Sequence, residues 1–107
     1  MKIDELAPGY LEIGDGRTLR FSTHEGEDVV GAIEEHPSAR DTSLHKAGEP
    51  CEGMLHFDVA EIPQGWRLGG MPLWTVESWL PLTISPSVLC TLCGNHGWIK
   101  DGKWVPA

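Results

Sequence analysis

The chain has 107 residues, enough for one domain with a modest hydrophobic core and no obligatory disulfides. Acidic residues outnumber basic ones 16 to 8, and the net charge of −8 repels a phosphate backbone or an anionic bilayer, so nucleic-acid and membrane-surface roles are disfavoured. The 13 glycines and 8 prolines disfavour long helices and favour short strands joined by tight turns.

The opening MKIDELAPGY carries acidic residues where a signal peptide would place its apolar run. No stretch approaches the roughly 18–20 apolar residues of a membrane span, so a cytoplasmic protein is expected. Residues 10–21, YLEIGDGRTLRF, set apolar-rich runs around Gly14-Asp15-Gly16, which reach positive φ at little steric cost, and predict a β-hairpin. Residues 29–35, VVGAIEE, predict a strand or a short helix ending at His36-Pro37, because proline pushes the residue before it into extended geometry. Residues 37–50 are polar without apolar periodicity and read as a loop.

Residues 54–59, MLHFDV, alternate: Leu55, Phe57 and Val59 share one face, Met54, His56 and Asp58 the other. Ile62-Pro63-Gln64-Gly65 reads as a turn. Residues 73–79, LWTVESW, and 82–84 predict further strands. Residues 98–100 and 103–105 flank Asp101-Gly102, a two-residue loop suited to a type I′ turn. Trp66, Trp74, Trp79, Trp98 and Trp104 read as core filling. With no internal repeat, the expected fold is mainly β: one small domain, 1–107, of about six or seven short antiparallel strands and hairpins.

Cys90-Thr91-Leu92-Cys93-Gly94 has C-x-x-C-G spacing, which lets two thiolates point at one ion about 2.3 Å away. The remaining cysteine, Cys51, lies in the turn-like Pro50-Cys51-Glu52-Gly53. Three cysteines, an odd number in a reducing compartment, argue against a disulfide framework. A redox-active C-x-x-C is the competing reading, but such a motif belongs at a strand-to-helix junction, and here a hairpin follows. Zinc wants four ligands, so one of five histidines must join the sulfurs. His56 falls on a polar strand face, and His24 and His45 fall in solvated loops. His36 closes an apolar strand, where its side chain is anchored; His96, three residues after Cys93, can bend onto the same ion. Both remain open. An ion with four protein ligands is structural and part of folding stability.

Ser87 precedes the C-x-x-C turn and His96 follows it, so a folded-back turn brings them towards hydrogen-bond distance. That is the requirement of a nucleophile and its base, with backbone amides of the turn available to an oxyanion. The plainer alternative is a turn serine and a capping or metal-bound histidine.

The stretch LTISPSVLCTLCGNHGWIKDGKW, within residues 82–105, resembles the C-terminal signature of the BubE-like family. The family comprises small bacterial and phage proteins, of which the bacterial members accompany ubiquitin-like conjugation operons and are proposed to be serine peptidases. Pro86-Ser87-Val88 matches the family's P-S-I, Cys93-Gly94-Asn95-His96 its C-x-S-H, and Trp98-Ile99 with Gly102 and Trp104 its closing hairpin. Asn95 stands where the family has serine, Gly97 where it has an aromatic residue, and Cys90 is additional. The resemblance implies that His36, Cys51, Cys90 and Cys93 hold a structural Zn2+, leaving His96 as general base to the nucleophile Ser87. It implies acyl transfer to water at the tail of a ubiquitin-like protein. No acidic third member is assignable from the pattern; Glu77 and Asp101 are the candidate orienters of the histidine. The rival expectation is a non-catalytic, zinc-ribbon-like module, in a phage assembly or binding a basic protein partner.

Overall fold

Nine strands and little helix make up the chain in a computed structural model, which describes residues 1–107. After a 3-10 turn at Ile3–Leu6 come β1 (Tyr10–Gly14), β2 (Arg17–Thr23), β3 (Val29–Pro37) and β4 (Pro50–His56). A one-turn helix α1 (Gln64–Leu68) leads to β5 (Thr75–Trp79), β6 (Leu82–Ser85), β7 (Val88–Leu89), β8 (His96–Lys100) and β9 (Lys103–Pro106). All pairing between strands is antiparallel, in three sheets ordered β1-β2-β3-β4, β5-β6 and β7-β8-β9. No helix is long and apolar enough to cross a membrane.

The expected hairpins form where the turn chemistry placed them. Asp15 and Gly16 both take positive φ between β1 and β2, as do Asp101 and Gly102 between β8 and β9. Residues 29–35 are strand rather than helix, and β3 runs on through His36 to Pro37. One core draws on all three sheets, with Leu19, Ala32, Phe57 and Ile99 fully buried and Leu82, Ile84 and Val88 beside them. Phe57 meets the Trp79 ring edge-on at 5.6 Å.

Three expectations need correction. The strand expected over residues 54–59 begins earlier, at Pro50, and ends at His56. Beyond that point the chain changes partner: Phe57 bridges to Trp74 in parallel, and the Asp58 N–H donates to the Trp74 carbonyl at 2.8 Å. The turn at Pro63 opens into α1, which buries none of its side chains and so left no apolar period to detect. Of the tryptophans only Trp104 is buried; Trp66, Trp74 and Trp79 are half-buried, and Trp98 is exposed.

Candidate functional site: a metal centre beside a serine–histidine pair

His36 and Cys51 are brought together by sheet register. They are direct cross-strand partners of β3 and β4, and both side chains are buried. Alternation along β3 puts Ala32, Glu34 and His36 on one buried face. The other two sulfurs come from the turn between β7 and β8. There the Gly94 N–H donates to the Cys90 carbonyl and the Cys90 N–H to the Asn95 carbonyl, both at 2.8 Å. Gly94 sits at φ +82°, a conformation a side chain resists, and so lets the turn close beneath its two cysteines.

The ligand atoms of His36, Cys51, Cys90 and Cys93 all lie within 4.8 Å of one another. His36 Nε2 is 3.4 Å from Cys93 Sγ, and Cys51 Sγ is 3.6 Å from Cys90 Sγ. A tetrahedral ion holding sulfur at about 2.3 Å and nitrogen at about 2.0 Å sets sulfurs roughly 3.8 Å apart and sulfur roughly 3.5 Å from nitrogen. The four residues therefore fit a metal ion, in spacing and in donor type.

The three sulfurs are not equivalent. Burial, with Cys90 and Cys93 as neighbours, pushes the Cys51 thiol up to about 12. Burial also works to raise Cys93, but backbone N–H groups of Ala39 and Asn95, with His36 and Cys90, win and bring it to about 6. Protein dipoles thus favour a thiolate at Cys93 already, whereas a cation is needed to ionise Cys51 as well.

Behind the imidazole lies a buried chain of charge that sequence reading missed. Both Glu34 carboxylate oxygens accept from His36 Nδ1, at 2.8 and 3.0 Å, which turns Nε2 towards the sulfurs. Arg17, from β2, donates to Glu34 with one terminal nitrogen and to the Asn95 side-chain oxygen with the other. Its guanidinium lies 3.4 Å from the centre of the Trp104 ring. Burial lowers the Arg17 pKa against the raising influence of Glu34. A signal was present: a glutamate two residues before a ligand histidine on a strand shares its face.

His96 stands apart from the four ligands and pairs with Ser87. Its Nε2 is 2.9 Å from Ser87 Oγ. The β7–β8 register, Val88 opposite Gly97 and Leu89 opposite His96, brings the two side chains to adjoining positions. Ser87 is held from behind by the Trp74 indole N–H, which donates to its carbonyl at 3.3 Å. His96 is exposed, and its ring tilts over Trp98 at 5.7 Å. Its side-chain hydrogen bonding ends with Ser87; neither Glu77 nor Asp101 reaches it, and the Asp101 N–H instead donates to Thr83 Oγ1 at 2.9 Å. His24 and His56 flank Trp66 at 5.0 and 5.1 Å, away from the metal cluster.

A groove of about 210 Å³ runs between β4 and the 88–92 segment, with Cys51, Cys90 and His36 in its wall and Trp74, Leu55 and Val88 beside them. Five consecutive residues of β4 line it, so it follows the strand's unpaired edge. No protein-family model, curated protein or solved structure matches this chain.

Proposed function

We propose that the chain is a zinc-stapled β domain carrying a serine–histidine hydrolytic pair. The carrying observation is the 2.9 Å approach of His96 Nε2 to Ser87 Oγ, made while His36 supplies the nitrogen of the metal cluster. Three thiolates and one imidazole suit zinc, and a filled tetrahedron makes the ion a structural one. Ser87 attacks an acyl carbonyl while His96 takes its proton at Nε2 and returns it to the leaving amine; water then releases the acyl group. The pair is open to solvent rather than sunk in a cavity, which suits an extended polypeptide tail better than a small molecule. The BubE-like pattern around Ser87 and His96 points to the tail of a ubiquitin-like protein as that substrate.

The test is covalent labelling with a serine-directed fluorophosphonate, read against metal content by native mass spectrometry. Wild type should carry one zinc and take the label, Ser87→Ala should take none, and His96→Gln should label about 10²–10⁴-fold more slowly. Wild type labelled no faster than Ser87→Ala overturns the hydrolase reading; metal-free protein that stays folded in strong chelator overturns the staple. A second reading, a non-catalytic zinc-ribbon-like binding module, is favoured by the absence of a carboxylate partner for His96. It requires that Ser87→Ala leave function intact.

A further inference from the structure

We propose that Cys90 is a peroxide-reactive site: oxidised from the β4 groove, it closes a disulfide with Cys51, and the metal staple gives way to a covalent one. The inference rests on the metal cluster of the preceding section and uses neither Ser87 nor His96.

Access separates the three sulfurs first. Cys51 and Cys93 are each only 2 % exposed, whereas Cys90 is half-buried. Cys90 and Cys51 both line the 210 Å³ groove, and Cys93 does not. A molecule as small as a peroxide can enter such a space and meets Cys90 with least obstruction. Hydrogen bonding separates them further, because backbone N–H groups of Ala39 and Asn95 engage the Cys93 sulfur. Lone pairs held by N–H donors are poorer nucleophiles. The shared groove wall then favours Cys51 as the resolving partner. Cys51 Sγ already lies 3.6 Å from Cys90 Sγ, and the two must close to about 2.05 Å.

The chemistry balances in two steps. The Cys90 thiolate attacks one peroxide oxygen, the O–O bond breaks, and a sulfenic acid and hydroxide (or alkoxide) form. The Cys51 thiolate then attacks that sulfur, the S–O bond breaks, and a second hydroxide leaves. Two sulfurs have given two electrons to one peroxide. The ion retains only His36 and Cys93 and is released. β4 and the knuckle stay joined, now through the disulfide.

The test uses native, unmodified protein whose zinc content has been measured. Brief alkylation with N-ethylmaleimide, mapped by fragment ions, should label Cys90 about 10-fold ahead of Cys51 and Cys93. Titration with hydrogen peroxide should release one zinc per Cys51–Cys90 disulfide, and dithiothreitol with added zinc should reverse it. A Cys90–Cys93 link, equal alkylation of the three, or over-oxidation without a disulfide overturns the proposal. Starting protein without zinc defeats the metal reading alone, since alkylation order and disulfide mapping still decide the sulfur assignment.

Discussion

Replacing Arg17 with methionine tests whether the buried charge chain carries the metal centre. Arg17 is 3 % exposed and Glu34 4 %, so neither charge is screened by solvent. A divalent ion with three thiolates and a neutral imidazole has one net negative charge. Glu34 adds a second, and Arg17 cancels one of the two. Arg17→Met therefore leaves a carboxylate beside an anionic cluster, whereas Glu34→Gln leaves a guanidinium facing that cluster with its charge partly balanced. Removing one member of a buried pair costs about 3–5 kcal/mol. Arg17→Met should lie at the upper end and Glu34→Gln at or below the lower. At 107 residues the unfolding entropy is about 0.22 kcal/mol/K, so the range becomes a Tm loss of about 14–23 °C. Glu34→Gln keeps an acceptor for His36 but a weaker one, and zinc affinity should fall about 10–100-fold. Thermal melts in excess zinc and competition with a chromophoric chelator measure the two effects separately. The double variant carries no orphan charge and should melt above Arg17→Met alone. Single-variant losses that simply add in the double variant, or Arg17→Met within 1 kcal/mol of wild type, as an order-of-magnitude threshold, would refute the coupling.

Gly97→Ala should lower stability by about 1–3 kcal/mol in urea titration, because its Cβ would stand 2.5 Å from the Val105 carbonyl oxygen and 2.5 Å from the Trp104 ring. A wild-type midpoint would mean that β8 and β9 are not paired as described. His56 is held below its ordinary pKa of 6.5 by burial. The unfolded chain therefore takes up this proton more readily than the folded one as pH falls through 6.5, and the folded state loses stability on the acid side. Urea titrations at pH 7.5 and pH 5 should show a smaller acid loss for His56→Asn than for wild type; parallel losses would contradict the assignment.

The cysteine ligands were legible because C-x-x-C spacing and a lone upstream cysteine constrain geometry locally. His36 was legible only as one of two candidates, through Pro37, which fixes the extended backbone holding its side chain. Arg17 was not, since it sits in a stretch that also reads as an ordinary amphipathic strand, and Glu34 carried only the signal of sharing a strand face with His36. Their burial shows only when β2 and β3 are laid against the knuckle that brings Asn95. The change of partner after His56 was hidden for a related reason. Trp74 captures the chain from 17 residues away in the register of Phe57, and nothing near Phe57 announces it.

The choice between the two candidate histidines was open in sequence and is decided by a glycine. Along β8, Gly97 and Ile99 face inward, while His96, Trp98 and Lys100 face out. A slip of one residue would turn every side chain of the strand over and swing His96 to the inner side. Gly97 blocks that slip. The Trp104 ring and the Val105 carbonyl lie where any side chain at this position would have to go, so only glycine can face them. The same indole carries the Arg17 guanidinium that fastens Glu34, and Glu34 in turn fixes His36. Gly97 thus fixes the register that keeps His96 outward beside Ser87, apart from the cluster of His36, Cys51, Cys90 and Cys93.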